Sequence, residues 1–451
     1  MDAALEKRLK RQIIGKLHRF LAIAPLGFED TLAKELAEFE IEQPQVTGDG
    51  KVEFTAKITD AWKAVAYSRI ANRILMHIAD FKAENFREFE KKTAEIPWEL
   101  YLSEADLSIH VTCKHSRLYH SDAIAERLQQ VIPSPVCSHS GNQHFLPERH
   151  SDVGQNQHHS SEQHLYINFL DDRCTIWLDL AGEELYKRGH ERFVNDAPLK
   201  ETIAAGMLFE ATHLAPDYKS FCLFDLMAGS GTFSLEAAYT ANKLIPGVCR
   251  DFALKHQPAF KEATWNYIVN KKNNDVIASA QREAIHNPII HKIITSDISE
   301  RAIEIIRHNV ECSPLAGTAP APIVPELKDF FSYTAQEILD ACSADASLGE
   351  TFPIIVLNPP YGKRLDFDAP KLYTNIGRRL AELARPLKAA GKPLTVAILA
   401  PKDDSRPGSK YTCSTNLLRE CPTLSPKNNP NAKQIITSHG GITLNIFIAQ
   451  I

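Results

Sequence analysis

The chain has 451 residues, more than one hydrophobic core usually spans, so two or three domains are expected. Hydrophobic residues make up 44% and charged residues 24%, as in an ordinary soluble protein, and no apolar run approaches the roughly 20 residues that a membrane helix needs. Residues 1–16 alternate charged and apolar side chains and lack the apolar stretch of a secretory signal. These features predict a cytoplasmic protein that does not enter a membrane.

The nine cysteines run from Cys113 to Cys421 without a CxxC spacing. Neither a zinc ribbon nor a disulfide framework is therefore predicted, and no metal site is expected. The net charge of −5 counts against a nucleic-acid partner, which usually requires a basic surface. A local basic footprint stays open, although a solvated helix face is the simpler interpretation of each cluster. The clusters are Lys7, Arg8, Lys10, Arg11, Lys16 and Arg19; Lys187, Arg188 and Arg192; and Lys363 and Arg364.

The first third of the chain alternates between strand and helix patterns, which predicts a small α+β unit. The predicted strands are Phe20–Ala24, Val52–Ala56, Leu107–Cys113, Leu165–Phe169 and Cys174–Leu180, and the predicted helices are Phe28–Phe39, Ala61–Leu75 and Ser121–Val131.

The segment 134–164 interrupts this pattern with Ser, His, Gln, Asn and Pro and almost no aliphatic residues. Such a composition buries too little apolar area to order itself, so a polar, solvent-exposed insertion is predicted. Cys137 and six histidines invite a metal interpretation, but their spacing matches no standard ligand pattern.

A second architecture begins near Asn195, where Pro198 is suited to start the helix predicted over residues 199–212. Apolar strands and helices then alternate, which is typical of a parallel sheet covered on both faces. Two strand patterns at 434–438 and 442–449, joined by His439-Gly440-Gly441, predict an antiparallel hairpin that closes the sheet.

The first strand of this half ends at Asp225, and a turn containing Gly229, Ser230 and Gly231 leads into a helix. Glycines let a ligand approach the backbone, and the helix N-terminus lies at the edge where doubly wound sheets bind ligands. A plain packing role for the glycines is the alternative.

The next strand ends at Asp297, whose carboxylate is suited to accept hydrogen bonds from two ribose hydroxyls. An insertion at residues 242–291, containing Trp265 and Tyr267, must separate the two strands at the sheet edge. Asp329 is predicted at the third strand end, where it could bind an adenine amino group, or at a helix N-cap.

The strongest pattern is IIVLNPPYG, a buried strand followed by Asn358, Pro359, Pro360 and Tyr361. The prolines fix the backbone and leave rigid carbonyl acceptors, which with the Asn358 side chain can hold a planar NH2 group. The Tyr361 ring can stack on a base. An aromatic amine is a poor nucleophile, so acceptors that orient it and favour its developing positive charge suit methyl transfer to nitrogen. A tight turn capped by tyrosine is the alternative.

Three stretches, WLDLAGEELYKRGHERFVNDAPLKETIAAGMLFEAT, DLMAGSGTFSLEAA and LNPPYGKRLD, closely resemble bacterial THUMP-domain 23S rRNA guanine-N2 methyltransferases. The resemblance implies a ferredoxin-like segment at 20–75, a THUMP RNA-binding domain at 76–182 with the polar insertion 134–164, and a Rossmann-like class I methyltransferase domain at 195–451. It implies that S-adenosylmethionine is the cofactor, bound by Asp225, Gly229, Ser230, Gly231, Asp297, Asp329 and Asn358. It also implies that Asn358, Pro359, Pro360 and Tyr361 hold the target guanine.

The implied product is N2-methylguanosine in 23S rRNA or a ribosomal assembly intermediate. Because the chain ends at Ile451, only one methyltransferase activity is expected. A THUMP-domain tRNA guanine-N2 methyltransferase shares these motifs, and a non-catalytic RNA-binding assembly factor is a rival of another class. A DNA adenine methylase is disfavoured, because no target-recognition domain is visible. The oligomeric state stays open.

Overall fold

A computed structural model describes residues 2–103, 105–133, 137–138, 162–194, 198–215, 217–270, 289–316, 322–343, 350–361, 368–403 and 412–451. Most of the predicted insertion 134–164 lies outside these ranges, as do Lys363 and Arg364. Within them, no helix combines the length and the apolar composition that crossing a membrane requires.

The first half of the chain builds an eight-stranded sheet in the order β2-β3-β1-β4-β8-β7-β5-β6. Its strands are β1 (Leu17–Ile23), β2 (Gln45–Gly48), β3 (Lys51–Lys57), β4 (Arg73–Lys82), β5 (Ala105–Lys114), β6 (Cys137–Ser138), β7 (Gln163–Leu170) and β8 (Arg173–Asp179). Its helices are α1 (Ala3–Leu9), α2 (Glu29–Glu38), α3 (Ile58–Tyr67), α4 (Phe86–Ala94) and α5 (Ser121–Val131), with a π-helical turn at Lys10–Ile14.

Alternating side chains explain why these segments form a sheet with one covered face. In β3, Val52, Phe54 and Ala56 are buried, whereas the residues between them are exposed or half-buried. Apolar residues at every second position point to one face of a strand and bury there against helices. The sequence pattern that predicted these strands is therefore the pattern that forms the core.

The predicted helix Ala61–Leu75 is wrong at its C-terminal end. Helix α3 ends at Tyr67, and Arg73 already begins strand β4. Residues 74–76 pair with residues 20–22 of β1. The helical spacing of apolar residues continued past the end of α3 because the buried strand β4 is also apolar. Pairing with β1 makes this segment a strand and not a helix.

The predicted boundary between residues 75 and 76 falls inside β4, which pairs with β1 on one side and with β8 on the other. The segments proposed as ferredoxin-like and THUMP domains therefore contribute to one continuous sheet, and their separation into two domains remains a prediction.

The second half builds a seven-stranded sheet in the order β11-β10-β9-β12-β13-β15-β14. Its strands are β9 (Ser220–Asp225), β10 (Ile289–Asp297), β11 (Pro325–Leu327), β12 (Thr351–Leu357), β13 (Thr395–Pro401), β14 (Lys433–His439) and β15 (Ile442–Gln450). The described helices are α6 (Glu201–His213), α7 (Thr232–Ala241), α8 (Glu262–Asn270), α9 (Glu300–Glu311), α10 (Ala335–Ser343), α11 (Ala369–Ala389) and α12 (Cys413–Glu420).

Five strands of this sheet are parallel, and the C-terminal hairpin adds two antiparallel strands through the pairing of β15 with β13. Strands β9 and β12 are buried at every position, as expected for parallel strands covered on both faces. The predicted doubly wound α/β fold with an antiparallel closing hairpin is confirmed.

The segment after α7 packs against the first sheet's helices. The Tyr67 hydroxyl donates a hydrogen bond of 2.9 Å to the Ile268 carbonyl oxygen, and the Trp62 and Phe260 rings lie 5.7 Å apart. Trp265 is buried nearby. This part of the predicted insertion therefore connects the two halves of the molecule, which the sequence did not indicate.

Two arginines of the second basic cluster are not available to a nucleic acid. The Arg188 guanidinium binds both carboxylate oxygens of Glu236, on α7, at 2.9 and 3.0 Å, and both side chains are almost fully buried. Arg188 also donates to the Arg69 carbonyl oxygen at 3.0 Å. It therefore joins the first half and α7 to the segment 180–194 that follows β8, which we call the linker. Arg192 is also largely buried, whereas Lys187 is exposed. A buried acidic partner, invisible in the local sequence, makes Arg188 a structural cation.

Replacing Arg188 with alanine should lower the free energy of unfolding by about 3–5 kcal/mol, because it leaves the buried Glu236 carboxylate without its bidentate partner. Urea unfolding followed by circular dichroism measures the change. The exposed neighbour Lys187, changed to alanine, should shift the same quantity by no more than about 0.5 kcal/mol. Equal effects of the two substitutions would contradict this structural role.

Candidate active site

The predicted site residues follow the carboxyl ends of four adjacent parallel strands, β11, β10, β9 and β12. Asp225 pairs in register with Thr295 of β10 and Val356 of β12, so the ends of these three strands lie side by side. Chain order reverses between β9 and β12, and open α/β sheets bind ligands in the crevice at such a reversal. The fold thus brings Asp225, Asp297 and Asn358 to one edge.

The turn after β9 depends on two glycines with left-handed backbone, Gly229 (φ 56°) and Gly231 (φ 77°). A Cβ on Gly231 would lie 3.1 Å from the Ile306 side chain, on α9, so it would crowd that residue and would also strain the left-handed backbone. A Cβ on Gly229 would meet no atom of the described part of the chain within 4 Å. The packing interpretation therefore fits Gly231, whereas Gly229 leaves open space beside the backbone for a ligand.

Asp297 organises this turn from the neighbouring strand. Its carboxylate accepts hydrogen bonds from the Gly229 backbone N–H at 2.8 Å and from the Ser299 N–H at 2.9 Å. Each oxygen of a carboxylate has two lone pairs, so acceptor capacity remains for a ligand hydroxyl. Asp297 is half-buried at the sheet edge, which suits the predicted contact with a ribose.

Asp225 is fully buried, and one of its oxygens accepts hydrogen bonds from the Ser234 N–H at 3.1 Å and the Ser234 hydroxyl at 2.7 Å. Its other oxygen has no hydrogen-bond partner within the described ranges. Burial raises the pKa of the Asp225 carboxyl to about 7. Asp225 thus anchors the first turn of α7, and its predicted direct contact with a cofactor stays a prediction.

Asp329 follows the third strand and also caps a short turn, and its predicted contact with an adenine amino group stays a prediction. It lies two residues after β11, and its side chain accepts a hydrogen bond of 3.0 Å from the Phe331 N–H, capping a 3-10 turn at Phe330–Ser332.

The NPPY segment carries unsatisfied polar atoms. The Asn358 side-chain oxygen is buried and has no hydrogen-bond partner among the described residues, and the same holds for the Tyr361 hydroxyl. Burial raises the pKa of Tyr361 to about 12. Pro359 is buried and Pro360 is exposed. A buried oxygen without a partner costs roughly 1–3 kcal/mol, so an acceptor held open in this way suits a donor from a bound molecule.

Two polar residues at the glycine turn were not singled out from the sequence. Arg192 forms an ion pair with Glu201 and donates to the Ser230 hydroxyl at 3.3 Å. Asn309, on α9, donates to the Ser230 carbonyl oxygen at 3.0 Å and is fully buried. In the sequence, Arg192 is only one member of a basic cluster, and Asn309 belongs to no motif. Their contacts with the glycine turn are therefore visible only in the tertiary structure.

Replacing Asp225 with asparagine should flatten the pH dependence of stability between about pH 4 and pH 7. The unfolded carboxyl loses its proton near its usual pKa of about 3.9, and the folded one near 7. Between these values the folded state binds more protons, so the stability from the protonated carboxyl is lost as the pH rises. Urea unfolding of both proteins at several pH values measures this.

The exposed Asp217, changed to asparagine, serves as the control and should leave the pH dependence as it is in the wild type. A difference in unfolding free energy between wild type and Asp225→Asn that stays constant from pH 4 to pH 8 would contradict the buried, proton-binding carboxyl.

Comparison with known proteins identifies two domains. Residues 19–75 match the RlmL ferredoxin-like domain, and residues 188–320 match the RMKL-like methyltransferase domain. A Ribosomal RNA large subunit methyltransferase K/L from Psychromonas ingrahamii is 28% identical over 355 residues, covering 78% of this chain and 42% of the relative. The chain thus spans about half the length of the K/L methyltransferases that it matches.

Two solved structures share the fold across nearly the whole chain. One, described as a possible methylase from Clostridium difficile 630, has a TM-score of 0.69 at 22% identity, with 96% of this chain and 98% of that one covered. The other, SMU.472 complexed with SAH, has a TM-score of 0.67 at 21% identity and the same coverage. The predicted cofactor, S-adenosylmethionine, agrees with the methyltransferase domain. The chain therefore contains matches to both an RlmL ferredoxin-like domain and an RMKL-like methyltransferase domain, in agreement with the resemblance seen in its sequence.

Proposed function

We propose that this chain methylates the exocyclic N2 of a guanosine in large-subunit ribosomal RNA, with S-adenosylmethionine as the methyl donor. The observation that carries the proposal is the buried side-chain oxygen of Asn358 at the switch point of the sheet, for which no described residue provides a hydrogen-bond partner. The names of the curated relatives support the RNA substrate, and the motif resemblance supports the N2 position.

The glycine turn and its surroundings fit the cofactor. Space beside Gly229 admits a ligand against the backbone, and Asp297 keeps acceptor capacity for ribose hydroxyls. Asp329 follows the next strand, where its remaining lone pairs could accept from an adenine amino group. When bound, S-adenosylmethionine supplies an electrophilic methyl group on a sulfonium centre. Ser230 and Gly231 complete the turn that would lie against it.

The NPPY segment orients the target amine. The Asn358 side-chain oxygen would accept one N–H of the guanine amino group, and rigid backbone carbonyls beside Pro359 and Pro360 offer further acceptors. These acceptors interact more strongly as positive charge develops on the nitrogen, so their effect is greatest in the transition state. No protein group needs to remove a proton beforehand.

The Tyr361 ring provides the stacking surface for the base. Its hydroxyl is buried and its pKa lies near 12, so the side chain stays neutral at every working pH. Stacking on a base requires the aromatic ring, and it does not require the hydroxyl.

Replacing Asn358 with alanine should lower single-turnover methylation of large-subunit RNA by about 10²–10³, with little change in the affinity for S-adenosylhomocysteine or RNA. Tyr361→Phe should keep most of the activity, whereas Tyr361→Ala should lose most of it. Product nucleosides are identified by mass spectrometry, and N2-methylguanosine from ribosomal RNA is expected for the wild type.

Circular dichroism and thermal unfolding of each variant separate loss of activity from loss of fold. Near-normal turnover of Asn358→Ala, or equal effects of the two Tyr361 substitutions, would show that the NPPY segment is only a structural turn and does not bind the target base. Methylation of transfer RNA in place of ribosomal RNA, a different modified nucleoside, or no product from any RNA would contradict the proposed reaction.

RNA binding should depend on the exposed basic side chains of the N-terminal segment. Lys7, Arg11 and Lys16 are solvent-exposed. Changing all three to glutamine should reduce the slope of log affinity against log salt concentration by about 2, since each lost phosphate contact removes roughly 0.7–0.9. Filter binding of an rRNA fragment at several salt concentrations measures the slope.

A charge-matched control replaces Arg385, Lys388 and Lys427, three exposed residues of the methyltransferase half, with glutamine. This control should leave the slope within error of the wild type. Equal slopes for the two triple variants would show that the N-terminal cluster makes no phosphate contacts.

A further inference from the structure

Side chains from two distant parts of the sequence meet beside the linker that joins the two halves. Glu191 lies in the linker, and His308 and Cys312 lie at the C-terminal end of α9. One oxygen, one nitrogen and one sulfur of these side chains all lie within 4.8 Å of one another. Carboxylate, imidazole and thiolate are ligands that Zn²⁺ accepts in proteins.

The arrangement of His308 and Cys312 resembles that of a bound metal's ligands. They are four positions apart, so they project from the same face of the helix end. The Cys312 sulfur lies 3.5 Å from the His308 Nε2. Zinc bonds of 2.0–2.3 Å place neighbouring ligands of a tetrahedron about 3.5 Å apart. The separation of these two atoms therefore matches that of two ligands on one zinc ion.

The third ligand is carried by a segment that is itself held in place. The buried Asn309 accepts a hydrogen bond of 2.7 Å from the Phe193 N–H and donates one of 2.9 Å to the Phe193 carbonyl oxygen. The Phe193 ring stacks on the His308 imidazole, with centroids 3.7 Å apart and planes at 15°. The linker and the helix are thus fixed relative to each other, and Glu191 lies two residues from the fixed point.

We propose that Glu191, His308 and Cys312 bind one Zn²⁺ ion, with solvent water in the fourth position. Thiolate and imidazole select a borderline metal such as Zn²⁺ over Mg²⁺ or Ca²⁺, which prefer oxygen ligands. The cysteine gives up its thiol proton to solvent on binding, and the histidine binds through a neutral ring nitrogen. Glu191 and Cys312 are exposed, so an ion reaches the site directly from solvent.

Such an ion would cross-link the linker to α9. Asn309 lies next to the metal ligand His308 and donates to the Ser230 carbonyl oxygen, so the cross-link would stabilise the packing behind the glycine turn. The site was not predicted because more than a hundred residues separate Glu191 from His308, and a local search for ligand spacing cannot join them. The proposal is independent of the methylated substrate.

Titration of the chelator-treated full chain with Co²⁺ tests the site, because a cobalt–thiolate bond gives a near-ultraviolet charge-transfer band. One equivalent should produce the band, and Zn²⁺ should displace it. Cys312→Ser should abolish the band, and His308→Ala should weaken binding more than about 100-fold, beyond the usual effect of losing an outer-shell partner. Glu191→Gln should weaken binding at least about 10-fold.

Cys249→Ser is the matched control, since Cys249 is also exposed, and Cys137→Ser tests the histidine-rich segment. Both should keep the band and the rise in melting temperature that Zn²⁺ gives the wild type, and Cys312→Ser should lose that rise. Identical cobalt spectra for Cys312→Ser and the wild type would overturn the proposal. So would loss of the band in either control, or binding only at millimolar concentration.

Discussion

The buried ion pair between Arg188 and Glu236 is the interaction on which the rest of the architecture depends. It joins the linker to the first helix after the glycine turn, and the same guanidinium reaches the Arg69 backbone in the first half. Two buried charges are stable only while their hydrogen bonds are complete. The pair therefore requires one relative arrangement of the linker, α7 and the backbone at Arg69. The glycine turn is therefore built on a support that includes the first half of the chain.

Two side chains that support the glycine turn, Asp297 and Asn309, have hydrogen-bond partners, whereas the side-chain oxygen of Asn358 does not among the described residues. Asp297 and Asn309 use hydrogen bonds to fix the turn around Gly229 and Ser230. The Asn358 oxygen, by contrast, has no hydrogen-bond partner in the described part of the chain. Preorganised acceptors of this kind cost stability in the free protein and interact most strongly with a ligand that supplies the missing donor. In the proposed reaction, the guanine amino group would supply that donor to Asn358.

The continuous eight-stranded sheet has a consequence for how the first half acts. Because β4 pairs with both β1 and β8, the two predicted domains within it move as one body if the sheet stays intact. Contacts such as Tyr67 with Ile268 connect this body to the methyltransferase domain. An RNA bound to the first half would therefore stand in a defined position relative to the sheet edge that carries the NPPY segment.

The sequence by itself determined most of the strands and helices, the parallel sheet with its antiparallel hairpin, and the positions of the glycine turn and the NPPY segment. These features are local, because they depend on alternation, helical spacing and turn residues within about 20 neighbours. Only the tertiary structure decided that residues 73–75 are strand, that Arg188 is buried and that Asn309 holds the turn. Each of these depends on a partner far away in the sequence, and burial and pairing energies between distant segments leave no local pattern.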